Sequence, residues 1–196
     1  MTYDIILAGV GGQGVLSLAA ILARAAMIDG LEVRQSEVHG MAQRGGAVLA
    51  HLRIADRQIA GDLIPSGGAD LILSMEPLES LRYLSYLKPE GRVVSAAEPV
   101  VNIPDYPELA TVLAAISALP RSTLVQAEAI AKEAGSSRAV NMALAGAASL
   151  LVPIALASLE RGIEELFGRK DPAAAAANRK AFALARAAGG SAAAKS

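Results

Sequence analysis

The sequence predicts an α/β fold: a mostly parallel sheet carrying an added hairpin, with helices on both faces. Three observations lead there. Residues 3–8 (YDIILA) are a short apolar run of the kind that makes a buried parallel strand, and a glycine-rich turn and a helical pattern follow at once. Residues 70–75 (DLILSM) are a second such run, followed by a Pro-opened helix and a strand from 92, the order of a βαβ unit. Residues 47–54 and 59–60 flank the turn Ala55-Asp56-Arg57-Gln58 and read as a hairpin.

The first stretch is the most informative. Gly9, Gly11 and Gly14 of GVGGQG fit G-x-G-x-x-G, and the strand-loop-helix context makes the fold Rossmann-like. From Gln13 onward Leu16, Ala19, Ala20, Ala23 and Met27 recur at helical steps, and Asp29-Gly30 supplies the stop. Lacking side chains, Gly9, Gly11 and Gly12 let the backbone turn sharply and aim N–H groups outward, while the helix start adds roughly half a positive charge. Gly9, Gly11, Gly12, Gln13 and Gly14 therefore read as a cradle for a phosphate or carboxylate. The same glycines would also serve close packing of helix on strand. A dinucleotide site usually adds an acidic residue about 20 positions on, after the second strand. With that strand at 32–36, Glu37 is the only candidate.

Residues 36–46 (SEVHGMAQRGG) form a polar loop expected beside the cradle, at the strand ends where open α/β sheets bind ligands. Arg44, followed by Gly45 and Gly46, offers a guanidinium and free N–H groups to an anion or a partner carboxylate. A surface arginine in a turn is the plainer alternative. His39 has no second titratable group fixed near it by sequence, so a structural loop histidine is as good a reading as a base. His51 lies within a strand and reads as structural.

The rest of the chain follows in order. Leu78, Leu81 and Leu84 face inward from the helix opened at Glu76-Pro77, with Tyr83 and Tyr86 packing beside them, and Lys88-Pro89-Glu90-Gly91 ends it. Residues 98–107 form a Pro-rich connection, 108–118 a helix, 122–127 a strand and 128–134 a short helix. Residues 139–159 carry no charge and match a bilayer in length, yet Asn141, Gly146, Ser149, Pro153 and Ser158 argue for a buried helix broken at Pro153. Residues 156–167 form an amphipathic helix. Asp171-Pro172 opens the last helix, which holds Asn178 and Phe182 and is expected to end at Gly189-Gly190. This gives one domain over 1–188 and a frayed tail over 189–196.

Composition narrows the function. Eighteen Lys plus Arg against 19 Asp plus Glu give a net charge of -1, which points to neither nucleic acid nor an acidic membrane. The chain has no Cys, so it cannot itself ligate an iron–sulfur cluster or build a thiolate zinc site. No basic region precedes an apolar run at the N-terminus, so a cytoplasmic protein is expected.

GVGGQG followed at this separation by SEVHGMAQRGG resembles the gamma-type component of 2-oxoacid:ferredoxin oxidoreductases, and most closely their indolepyruvate (arylpyruvate) beta-subunit branch. The resemblance extends to DLIL, L-K-P-E-G, A-V-N-M at 139–142 and N-R-K-A-F at 178–182; Gln126 departs from it, where an acidic residue would be expected. It implies oxidative cleavage of a 2-oxoacid with coenzyme A to carbon dioxide and an acyl-CoA, reducing ferredoxin. It also implies that thiamine diphosphate, Mg and [4Fe-4S] clusters sit on a large alpha subunit, the partner in a hetero-oligomer. This chain has no G-D-G motif followed by Asn for thiamine diphosphate; Gly61-Asp62-Leu63 fails at its third residue. The expectation is an accessory subunit with no catalytic residue and no metal of its own. The competing reading is a stand-alone NAD- or FAD-binding oxidoreductase.

Overall fold

A computed structural model describes residues 1–39, 45–168 and 172–193, with side chains excepted at 39 and 191–193. The strands are β1 (Thr2–Val10), β2 (Glu32–His39), β3 (Ala47–Ala55), β4 (Ala69–Ser74), β5 (Leu87–Ala96) and β6 (Ser122–Val125). The helices are α1 (Val15–Ile28), α2 (Pro77–Arg82), α3 (Leu109–Ser117), α4 (Ala127–Glu133), α5 (Val140–Ala148), α6 (Leu156–Phe167) and α7 (Pro172–Ala193). One six-stranded sheet has the order β2-β3-β1-β4-β5-β6, parallel from β1 through β6 and antiparallel at β3. The expected α/β class and Rossmann-like layering hold.

Alternation along each central strand feeds two cores. Ile5 and Leu7 of β1, Leu71 and Leu73 of β4 and Val94 of β5 point to one face, against Leu18 and Leu22 of α1 and Met142 and Leu144 of α5. Ile6, Ile72 and Val93 point to the other, against Val112 and Ile116 of α3. Helices α6 and α7 form an outer layer over α1 and α5. Gly146 of α5 makes that possible: a Cβ there would sit 2.2 Å from the Phe182 carbonyl oxygen of α7. At the opposite end of β1 from the glycine loop, Arg53 forks onto Asp4 directly across the β1–β3 pair, at 2.9 and 3.1 Å.

Four expectations need correction. The hairpin is β2–β3, not 47–54 with 59–60. Strand β3 is bonded along both edges, to β1 and β2, so Ile59 and Ala60 have no strand to join; instead the Ile59 N–H reaches Glu32 Oε1. The second strand runs on past Ser36 to His39. Residues 88–91 are part of β5 rather than a turn: Ala69 pairs with Leu87 and Leu71 with Arg92, so a bulge absorbs Pro89. Helix α7 continues through Gly189 and Gly190 to Ala193. A Cβ at Gly189 would lie 2.8 Å from Leu150 Cδ1, so this glycine serves close packing rather than a stop. The uncharged stretch at 139–159 divides at Pro153 into α5 and α6 as expected, and among the described residues no helix is long and apolar enough to cross a membrane.

Candidate functional site

The glycine loop leaves the C-terminal end of β1 and turns into α1. Gly14 is the N-cap of α1 at φ 89, and Gly12 has φ 102; both lie in the left-handed region that glycine enters without strain. Gly9 is required for a different reason. A Cβ there would be 2.7 Å from Val15 Cγ2 and 3.0 Å from Met75 Cβ, so strand, helix and β4 end can meet only over a bare Cα. Gln13 closes the loop. Its side-chain oxygen accepts the Val10 N–H at 2.7 Å and its amide donates to the Met75 carbonyl at 2.9 Å. The sequence places Gln13 among cradle residues, whereas the fold spends both its polar atoms on the scaffold.

The second glycine loop is joined to the first. Gly11 N–H donates to the Gly46 carbonyl at 2.8 Å, and Gly45 N–H donates to the Gly11 carbonyl at 3.2 Å. The peptide groups of Gly11 are thereby used up, which leaves the exposed Gly12 and the first turn of α1 as the outward-facing part of the cradle. The intrahelical ladder begins with Leu18 N–H to the Gly14 carbonyl, so the Val15, Leu16 and Ser17 N–H groups point out of the helix end. Neither a capping side chain nor an acidic residue in the first turn offsets them.

A third segment braces this face. Asn102 donates its side-chain amide to the Gly45 carbonyl at 2.8 Å. Tyr106 O–H and Val100 N–H both donate to Oε1 of Glu76, whose Oε2 accepts the Glu79 N–H at 2.8 Å and caps α2. Burial, and then the bond to Glu76, pushes the Tyr106 hydroxyl far above its ordinary value, so it stays a donor. Glu79 is held above the usual carboxylate range, first by burial; one of its oxygens bonds Arg82 at 3.0 Å and the other has no partner among the described residues. Neither glutamate reaches the open face. They hold the connection from β5 to α3 against it.

Of the other predicted residues, Glu37 lies within β2, exposed and opposite Ala50. Strand β3 intervenes between β2 and β1, so two strand spacings of about 4.8 Å each separate Glu37's strand from the glycine loop's. Glu37 is therefore not placed as a ribose-binding acid beside that loop. His39 ends β2, but its side chain, and Arg44 with all of 40–44, lie outside the described residues. His51 is structural: its Nδ1 accepts the Ile64 N–H at 3.2 Å and its ring meets the edge of Tyr86. Gln126 is an exposed N-cap of α4 that makes no side-chain cap bond.

Two features were missed from sequence. One is the brace of Asn102, Tyr106 and Glu76. The other is Asn141 in the first turn of α5, whose Nδ2 would lie 3.3 Å from a Cβ on Gly14. The signal for Asn141 was present, since it is the only polar side chain in α5.

Among the described residues no group of three His, Cys, Asp or Glu side chains is placed to hold a metal ion. Among the described residues the geometry offers donors and a positive helix end but no paired nucleophile and base. The sequence profile described as pyruvate ferredoxin/flavodoxin oxidoreductase matches residues 4–188. The chain belongs to that family. Similar proteins are the indolepyruvate oxidoreductase subunit IorB of Archaeoglobus fulgidus, 38% identical over 87% of this chain and 88% of that one, and its counterpart from Pyrococcus horikoshii, 38% identical over 93% of both. A solved keto/oxoacid ferredoxin oxidoreductase gamma subunit from Geobacter sulfurreducens shares the fold, with TM-score 0.71 and 24% identity over 95% of this chain and 98% of that chain. The resemblance read from the two glycine loops is borne out. This member of the pyruvate ferredoxin/flavodoxin oxidoreductase family is a subunit of a 2-oxoacid:ferredoxin oxidoreductase.

Proposed function

We propose that the chain is the small, cofactor-free subunit of an indolepyruvate (arylpyruvate):ferredoxin oxidoreductase. Its large alpha-subunit partner would carry thiamine diphosphate, Mg and [4Fe-4S] clusters, and the complex would act in the cytoplasm. With coenzyme A the complex converts the arylpyruvate to an aryl-acetyl-CoA and carbon dioxide and reduces ferredoxin. The observation that carries this is the identity of 38% over nearly the full length of proteins named as indolepyruvate oxidoreductase subunits. The cofactors on the partner supply carbanion stabilisation and the path for electrons. This chain, with no Cys, contributes binding surface.

The face formed by the two joined loops is the surface we assign to docking. Leu16 in the first turn of α1, Val38 near the end of β2 and Val101 beside Asn102 lie on the segments that lead into it, and all three are exposed. Apolar side chains around N–H-rich loops suit an interface that also borders an anionic substrate. Gly12 and Arg44 are the positions at which the anionic part of the 2-oxoacid or of coenzyme A would be felt.

The test is co-expression with the large subunit from the same genome, anaerobic purification, and dye reduction with indolepyruvate, phenylpyruvate, 2-oxoglutarate and pyruvate. Activity with the aryl substrates that requires both chains is the expected result. A chain that ignores the large subunit but binds NADH or FAD overturns the proposal. In the active complex, Gly12→Ala and Arg44→Ala should raise KM for the 2-oxoacid or coenzyme A; unchanged constants would reduce the loops to an interface scaffold.

A further inference from the structure

We propose that the cavity between α6 and α7 binds a monocarboxylate with an apolar body, held at its charged end by Arg186. The site is distinct from the glycine-loop face. Asp29, just past the C-terminus of α1, accepts the Ala155 N–H at 2.7 Å, so the start of α6 lies at the other end of α1 from that loop. The cavity holds about 690 Å³, inside the range of roughly 300–1,000 Å³ found for small-molecule pockets. It exists because α7 presents small residues there. Ala183, Ala187 and Gly190 recur at steps of four and three along one side of the helix. Ile163 and Phe182, both buried, and Leu150 and Leu156, both exposed, complete an apolar lining.

The polar groups fix the sign of the ligand. Arg186 lines the cavity and is half-buried. Its Nη1 donates to the Ser149 carbonyl at 2.9 Å and to Ser149 Oγ at 2.8 Å, and that hydroxyl donates in turn to the Gly146 carbonyl. Buried Ser149, at the end of α5, thus holds one corner of the guanidinium in place. Nε and Nη2 take no partner among the described residues, and together they form the edge that matches two carboxylate oxygens. Nor does any described carboxylate neutralise Arg186. Arg179, the other cation of the lining, pairs with Glu164, and Glu160 lines the cavity without reaching either arginine. A half-buried cation with spare donors beside an apolar cavity is completed by an anion whose remainder is hydrocarbon. One negative charge fits better than two, because a second would meet Glu160.

The test is calorimetric titration of the full chain, alone and in complex with its large subunit. The probes are octanoate and, as the uncharged control of equal length, octan-1-ol. Octanoate is expected to bind both preparations at a single site, and octan-1-ol about tenfold or more weakly. Arg186→Gln should weaken octanoate by a similar factor, with partial recovery in Arg186→Lys. Two further variants break no hydrogen bond made within the described residues. Ala183→Leu, which fills the cavity from an exposed position, should abolish binding with little change in melting temperature. Glu160→Gln, which removes the like charge, should tighten octanoate. Absence of octanoate binding, equal binding of octan-1-ol, or octanoate binding that survives Ala183→Leu would each overturn the site. Binding by the free chain that disappears in the complex would assign the cavity to a subunit interface and overturn it too. None of these outcomes depends on whether the complex turns over an arylpyruvate.

Discussion

Replacing Gln13 by Met tests whether the glycine loop is held by side-chain hydrogen bonds or by packing alone. Methionine keeps the length and volume of the side chain but makes neither bond. What is lost is an acceptor for the Val10 N–H at 2.7 Å and a donor to the Met75 carbonyl at 2.9 Å. Val10 and Met75 are 2% and 1% exposed, so water does not readily replace either partner. Leaving a buried group unpaired costs about 1–3 kcal/mol each, so the variant should lose about 3 kcal/mol. For a chain of this size that corresponds to a fall in melting temperature of roughly 6–12 °C, measured by calorimetry on the full chain. Gln13→Glu adds a sign. The carboxylate still accepts from Val10 but now opposes the Met75 carbonyl oxygen, so its folded-state pKa is raised above the ordinary glutamate value. A raised acid pKa means the ionised form carries the penalty: the deficit against wild type is full well above the folded pKa and shrinks as pH falls through it, when the protonated carboxyl can donate to Met75. A Gln13→Met variant melting within about a degree of wild type would refute the reasoning, as would a Gln13→Glu deficit equal at acid and neutral pH.

His51 predicts a pH dependence of the opposite sort. Burial, and then Arg53, lowers its pKa below the usual histidine value of 6.5, and its Nδ1 must stay unprotonated to accept the Ile64 N–H. The unfolded chain therefore binds the proton more readily, so stability is fully present above about pH 6.5 and is lost as pH falls towards the lowered pKa. Urea titrations from pH 5 to 8 should show this slope in wild type and its loss in His51→Gln. A pair of glycines separates packing from propensity: Gly146→Ala, whose Cβ would strike the Phe182 carbonyl, should destabilise by about 3 kcal/mol or more. Gly190→Ala, with open space around it, should stabilise by about 0.5–1 kcal/mol; comparable melting temperatures for the two would contradict the α5–α7 packing.

The parts of this fold legible in the sequence are those where one local signal suffices. Residues 3–8, the three glycines and the helical steps after Gln13 sit within 30 positions of one another, and β1 and α1 emerge close to where they were expected. Strand β2 was cut short for a physical reason. It is an edge strand bonded only to β3, so Ser36, Glu37 and Val38 need no apolar alternation and read as loop. Pro89 and Gly91 mimic a helix stop, but the bulge opposite Ala69 and Leu71 admits them into β5. The site was legible only in half. Gly9 and Gly14 announce a turn, yet the roles of the polar atoms around it are settled by contacts far apart in sequence. Gln13 reaches Met75, Asn102 reaches Gly45, and Asn141 meets Gly14 across more than a hundred residues. Such contacts leave no periodic trace. What remains in the sequence is one polar residue in an otherwise apolar helix, and its meaning depends on which helix end it meets. The same reasoning marks the scaffold residues here. Gln13 and Tyr106 have their hydrogen bonds satisfied within the chain, so changing them should move stability first.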